Sequence, residues 1–267
     1  MRRIETGTDK LLADVEDGVA RVTFNQPTKR NALSLEMRAA LPKLLQSLQD
    51  DPEVRVVVLT GAGTEAFISG ADISEFGQQR TSPESRAEYD RQGADSGRAW
   101  LALEKPVIAM IRGFCMGGGL LTALQADIRI ASDDARFGIP AGRLGLGYGF
   151  GGVDALAQVV GAAWAAEILF SARRLTAPEA LQAGLVSRVV PGERLEAEVG
   201  ELARAIRDNA PLTVAALKAA LREWRREPAR RDLARVAARV EACFRSNDYR
   251  EGQRAFAEKR RPKFTGT

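Results

Sequence analysis

Apolar and polar residues alternate over residues 19–24 (V-A-R-V-T-F), the period of a strand with one buried face. Residues 54–60 form instead a continuous, largely β-branched run that stops at Gly61-Ala62-Gly63, which predicts a strand buried on both faces and closed by a turn. Between them Leu35, Leu41, Leu44, Leu45 and Leu48 recur at helical spacing over residues 34–49, and Ser34 is placed to cap that helix. Two more buried runs follow, at 106–111 and 127–131. Strands that alternate with helices predict crossover connections and a largely parallel sheet, hence an α/β fold. From Leu195 onward the pattern is helical, over 195–209, 212–226, 232–245 and 247–260, with Pro211 and Pro228 as punctuation. Residues 75–96 are polar and weakly patterned, and read either as a surface helix or as a mobile segment beside a site.

Composition narrows the function classes. The chain has 267 residues, 45% of them hydrophobic, enough for one large domain or two small ones. No stretch is expected to reach the apolar length that crosses a bilayer, and residues 1–10 lack the apolar core of a signal peptide. Cys115 and Cys243 make no metal or disulfide spacing, so a reducing, cytoplasmic setting is expected, with no metal. Lys and Arg exceed Asp and Glu by 39 to 35, and much of the Arg excess follows Arg204. There the basic residues alternate with acidic ones, which is the look of a solvated face rather than a nucleic-acid surface. A small polyanion such as a phosphorylated cofactor suits the modest excess better. Histidine is absent altogether. That excludes a Ser–His–Asp hydrolase and a His-based zinc site, and leaves carboxylate, Tyr, Lys, Cys, water or substrate for any proton transfer.

Two segments carry chemistry. Residues 106–127 (P-V-I-A-M-I-R-G-F-C-M-G-G-G-L-L-T-A-L-Q-A-D) run from a buried strand through Gly113 into the triple glycine Gly117 to Gly119 and then an apolar, helix-like run. Glycines at such a junction let the backbone approach a ligand and leave N–H groups unpaired at a helix start, where an oxyanion is favoured. Taken alone, the junction reads equally well as a tight structural turn. Residues 65–76 (E-A-F-I-S-G-A-D-I-S-E-F) follow the strand at 54–60 and should lie at its C-terminal end, where ligands gather in open α/β sheets. Ser69, Gly70 and Ala71 again expose backbone, and Asp72 adds a carboxylate. Two N–H donors from different strand ends are what a developing oxyanion requires.

Together F-x-x-G-A-D-I, G-x-x-x-G-G-G and the opening F-N-Q-P-T-K-R-N-A-L (24–33) resemble the crotonase superfamily of enoyl-CoA hydratases and isomerases. The resemblance continues through F-G-I-P-A-G-R-L-G-L (137–146), T-A-P-E-A-L-Q-A-G-L-V-S-R-V-V-P (176–191) and E-G-Q-R-A-F-A-E-K-R-R-P-K-F (251–264), so it spans nearly the whole chain in order. It implies a spiral of ββα units over residues 1–195 and a helical region at 196–267 that drives trimer formation, often as a dimer of trimers, the two forming one integrated domain. It maps an oxyanion hole onto the N–H groups of Ala71 and Gly118. It maps CoA contacts onto Lys29, Arg30, Ala32, Ser69, Gly70, Ala71, Asp72 and Ile73, with Gly117, Gly118, Leu121, Pro140 and Ala141 around the acyl end. Lys259 and Phe264 match the C-terminal helix that approaches CoA, in some members from a neighbouring subunit. No prosthetic group is implied; coenzyme A enters as part of an acyl-CoA or enoyl-CoA substrate, with no nucleic-acid or membrane partner.

The chain departs from the family pattern at two places. Hydratases of the family use one glutamate on the helix after the triple glycine, where this chain has Leu121, and one after the proline of F-G-x-P-E, where it has Ala141. Aliphatic side chains move no proton, so two-carboxylate water addition and single-glutamate isomerisation both lack their machinery here. Family members without these glutamates include decarboxylases, in which a leaving group generates the enolate; a CoA-thioester binder without catalysis is the other reading. Asp72, Glu75, Arg143 and Tyr148 are the candidate polar groups: Tyr can donate a proton and Arg can orient a carboxylate. Arg143 reads equally as a structural or intersubunit ion-pair partner, and Tyr148 as packing beside the pocket.

Overall fold

The computed structural model describes residues 1–75 and 83–267. The chain starts with β1 (Arg2–Ile4), β2 (Leu11–Glu16) and β3 (Val19–Phe24), which pair antiparallel in that order. Their alternation is one-sided: Leu11, Ala13 and Val15 of β2 and Ala20, Val22 and Phe24 of β3 are buried. Helix α1 (Leu35–Asp50) follows, with the Ser34 Oγ accepting from Met37 N at 3.2 Å as the predicted cap. It returns the chain to β4 (Val56–Gly61), parallel to β3. β6 (Val107–Ile111), β8 (Ile128–Ser132) and β11 (Arg188–Val190) extend the parallel part, giving a seven-stranded sheet of order β1-β2-β3-β4-β6-β8-β11.

Why β4 reads as a continuous apolar run is visible in its two faces. Val57 and Leu59 enter the main core with the leucines of α1, whereas Val56 and Val58 pack with Ile108, Met110 and Ile130 against Leu195, Val199 and Ala203. Those last residues belong to α6 (Leu195–Arg207), so helices cover both faces of the sheet.

A second, smaller sheet sits across the first. It holds β5 (Ala66–Ile68), β7 (Phe114–Met116), β9 (Arg136–Gly138) and β10 (Leu175–Thr176) in the order β10-β9-β7-β5, with β5, β7 and β9 parallel. The remaining helices are α2 (Pro83–Ala102), α3 (Gly118–Leu124), α4 (Phe150–Ser171), α5 (Ala177–Gln182), α7 (Pro211–Trp224), α8 (Leu233–Arg245) and α9 (Asn247–Ala257). Cationic side chains finish several helices. Lys105 donates to the Leu48 and Asp51 carbonyls at the end of α1, and Arg222 donates to the Trp100, Leu101 and Leu103 carbonyls at the end of α2.

One expectation is narrowed to its helical reading and one changes. The polar stretch at 75–96 is helical from Pro83 onward, and its residues 76–82 lie outside the described part. The expectation that no stretch reaches membrane length fails for α4, whose 22 residues are long and apolar enough by length and composition. Gly161 breaks it, however, with φ 78° and ψ 164° inside the helix, so it is two helical pieces that each fall well short of the roughly 20 residues a bilayer core needs.

Candidate active site

β5, β7 and β9 end side by side at Ile68, Met116 and Gly138, so the segments that leave them emerge from one edge of the small sheet. The first segment is tied to the chain before α1: Ser69 N donates to Arg30 O (3.0 Å), Leu33 N to Gly70 O (2.8 Å) and Asp72 N to Leu33 O (2.9 Å). This bridge uses the Gly70 carbonyl and the Asp72 N–H, on either side of Ala71, and leaves the Ala71 N–H outside it. The second segment begins at Gly117, whose N–H donates to Gly138 O at 2.8 Å, and Gly118 opens α3.

The two segments lie against each other. A Cβ placed on Gly118 would lie 3.8 Å from the Ala71 nitrogen and 4.0 Å from the Gly70 carbonyl carbon, and one on Gly117 would lie 3.9 Å from Gly70 Cα. Such approach depends on missing side chains and on a backbone at positive φ, +127° at Gly70 and +50° at Gly117. Gly119 is fixed by space: any Cβ would run into the Ile68 carbonyl. Among the described residues, neither the Ala71 nor the Gly118 N–H has an acceptor within the chain. Two adjacent, unspent donors from different strand ends can receive one oxygen that carries negative charge.

The third segment leaves β9 as a 3-10 turn, Pro140–Leu144. Ala141 and Leu121 are half-buried and pack on the main core, so both positions present aliphatic carbon. Tyr148 joins Leu121 around Gly152: a Cβ there would lie 2.7 Å from Tyr148 Cε1 and 3.5 Å from Leu121 Cδ1, and the Tyr148 hydroxyl is buried. Arg143 is exposed and, among the described residues, has no carboxylate partner.

Asp72 is 4% exposed and sits in a clasp, accepting from Lys29 Nζ at 2.7 Å, Ser74 Oγ at 2.6 Å and Gln26 Nε2 at 3.2 Å. Burial alone would raise its carboxyl, but these hydrogen bonds outweigh it and hold the group down at about 2. A carboxylate so committed is a poor base, and its visible work is to tether the loop that carries Ala71 to the chain at Gln26 and Lys29. Glu75 accepts from Leu35 N at 2.8 Å, at the first turn of α1. Ser69 Oγ reaches Lys29 O at 3.2 Å, Ala32 is buried, and Ile73 is 63% exposed beside them.

Lys259 and Phe264 are not brought to this edge. Phe264 O accepts from Arg55 at 3.0 Å, just before β4 begins, whereas Ala71 follows the turn after β4 ends. Lys259 is exposed after the last turn of α9.

Asn31, within the segment 29–32 that the resemblance matches to CoA contacts, has a structural role that the sequence reading did not give it. It is fully buried at φ +55°, donates to Ala62 O (2.9 Å) and Ala66 O (2.8 Å), and accepts from Gln26 N at 3.0 Å. An Asn after two turn residues is the one available signal, since Asn tolerates the left-handed region.

The enoyl-CoA hydratase/isomerase family profile matches residues 14–267. A short-chain-enoyl-CoA hydratase of Clostridium acetobutylicum is 38% identical over 253 residues, covering 95% of this chain and 96% of that protein. A crotonyl-CoA hydratase of Syntrophomonas wolfei is 36% identical over 256 residues, covering 96% and 98%. The crystal structure of an enoyl-CoA hydratase/carnithine racemase from Magnetospirillum magneticum superposes with a TM-score of 0.91 at 35% identity, covering 97% of each chain. An α/β fold of this topology and matches along nearly the full length lead to one conclusion: the chain belongs to the enoyl-CoA hydratase/isomerase family, within the crotonase superfamily.

Proposed function

We propose that this protein is an acyl-CoA or enoyl-CoA enzyme that stabilises a thioester enolate on the main-chain N–H groups of Ala71 and Gly118. The observation that carries the reading is the close approach of two donors without internal acceptors. In this reading the thioester carbonyl enters between the two segments and gains negative charge as a bond at the α-carbon breaks. The preorganised N–H groups, backed by the start of α3, meet that charge without reorganising. The relatives named as hydratases support a CoA-thioester substrate. Water addition by paired glutamates is a different matter, because Leu121 and Ala141 offer neither a base nor an acid.

The chemistry that suits this frame is one in which the substrate supplies its own electron pair, as when a carboxylate leaves from the α-carbon as carbon dioxide. In this reading Tyr148, beside Leu121, is the candidate to return a proton, and Arg143 the candidate to orient a departing carboxylate. The second reading, a CoA-thioester binder without turnover, draws on the same two aliphatic positions.

The test pairs Gly118→Ala with Gly118→Pro. An added Cβ meets only ordinary contacts of 3.4 Å or more, so the alanine variant keeps the donor and the turnover. Proline is tolerated at the first position of a helix but removes the N–H, and turnover should fall by about 10²–10³. The panel is enoyl-, malonyl-type and β-ketoacyl-CoA thioesters. Equal turnover in the two variants sinks the enolate role; no turnover of any thioester by the unmodified protein selects the binder.

A further inference from the structure

The chain before α1 turns sharply, and two side chains hold the turn. Arg30 and Asn31 are consecutive non-glycine residues at positive φ, +51° and +55°. Backbone of that kind is strained and persists only where its surroundings over-determine it, as they commonly do beside functional sites. The surroundings here do so with one closed ring. Gln26 N donates to Asn31 Oδ1 at 3.0 Å, while Asn31 N donates back to Gln26 O at 2.9 Å. Asn31 Nδ2 in turn donates to Ala62 O and Ala66 O, at the two ends of the turn between β4 and β5. Gly61, the last residue of β4, leaves the room for it: a Cβ there would lie 2.6 Å from Asn31 Nδ2. Asn31 is fully buried, and its side-chain amide uses both hydrogens and its oxygen.

The turn matters because of what lies along the residues after it. Residues 30–33 and 69–72 run side by side, joined by Ser69 N to Arg30 O, Leu33 N to Gly70 O and Asp72 N to Leu33 O. A trans peptide is planar and carries its N–H and C=O on opposite sides. The Gly70 carbonyl points at Leu33 N, so the Ala71 N–H of that same peptide points away from Leu33. Where Leu33 stands decides where the Ala71 N–H aims. The turn also reaches residue 72 by a second route, since Gln26 Nε2 donates to Asp72 Oδ2 at 3.2 Å beside Lys29 Nζ. Gln26 is half-buried and grips both ends of the arrangement: its backbone holds Asn31, and its amide holds the residue after Ala71.

We infer that Gln26 and Asn31 are positioning residues for the Ala71 donor: they fix the strip 30–33 and so aim a main-chain N–H to which neither is hydrogen-bonded. The inference rests on the enolate reading above and adds to it the residues that set the donor's direction. A misaimed donor is weakened rather than lost. The effect on turnover is thus smaller than the roughly 10²–10³ that follows removal of a donor, about tenfold.

The experiment reads the carbonyl directly. Butyryl-CoA carries no group on its α-carbon to lose as carbon dioxide, and an isotope label at its thioester carbonyl separates that band from the protein's own. Its C=O stretch is recorded by difference infrared spectroscopy, free and bound to the full chain. Two N–H donors polarise the carbonyl, so the band should move to lower frequency on binding. Gln26→Leu, which keeps the size and removes the amide, should lose much of that shift and about tenfold in turnover of the thioester panel, with binding of CoA itself unchanged. Gln26→Arg, which keeps a donor for Asp72, should recover most of both. Asn31→Asp keeps an oxygen for Gln26 N but loses both donors, and its shift should be smaller still; should it fail to fold, Gln26 carries the test. The band decides the matter even where no thioester of the panel turns over. A full shift in Gln26→Leu overturns the positioning inference and leaves the enolate reading standing. A band that stays in place in the unmodified protein, with butyryl-CoA bound, discards both.

Discussion

At the scale of single residues, small differences in space decide large differences in tolerance. Gly118 and Gly119 are neighbours, yet a methyl group on Gly118 meets Leu33 Cδ1 at 3.4 Å whereas one on Gly119 collides with the Ile68 carbonyl and lies 2.7 Å from Ile68 Cβ. Gly119→Ala must therefore push α3 away from β5. It should cost about 1–3 kcal/mol or more in urea unfolding, against a few tenths for Gly118→Ala. Asp72 makes a second prediction. Its carboxyl is held at about 2 in the fold, below the roughly 3.9 of an unfolded chain, so its contribution is complete above about pH 4 and is lost as the pH falls through 2. Stability measured across that window should fall less steeply in Asp72→Asn than in the parent.

At the scale of elements, the signals that worked were the long ones. Helix α1 was legible from its leucines and from Ser34, and β4 from an unbroken run of β-branched residues, because each buries enough side chains to write a period. β5, β7, β9 and β10 have three residues or fewer and write none, so the small sheet that aligns the three site segments could not be read from pattern. What betrayed the candidate site was its lack of side chains, at Ser69 to Ala71 and Gly117 to Gly119, together with the family resemblance. The partners of Asp72 were invisible, since nothing local says that a carboxylate at 72 will meet a lysine at 29. Helix α5 shows how a short element survives. Thr176 Oγ1 accepts from Glu179 N while Glu179 Oε2 accepts from Thr176 N at 2.7 Å, a reciprocal cap on a helix of six residues. Thr176→Ala should cost about 1 kcal/mol, read as a shifted urea midpoint at constant slope.

At the scale of the whole molecule, the C-terminal helices leave apolar surface uncovered. Leu217, Leu221 and Trp224 share one face of α7 at 60%, 64% and 71% exposure, and Phe150 at the start of α4 is 83% exposed. Such faces suit association, and we propose further copies of the same chain as the partner. Sedimentation at micromolar concentration should report a species several times the 28.9 kDa protomer, and Leu221→Glu with Trp224→Glu should move it toward the protomer mass. Phe264 lies beside Arg55, which holds its carbonyl just before β4 begins.

The donors proposed to do the chemistry belong to the peptide backbone, and this makes them invisible to ordinary mutational scanning. Position 71 is alanine already, and position 118 accepts a methyl group without losing its amide. A complete alanine scan of this protein would report the surrounding pocket and return silence at its centre, whereas proline or an amide-to-ester replacement would make those two positions speak.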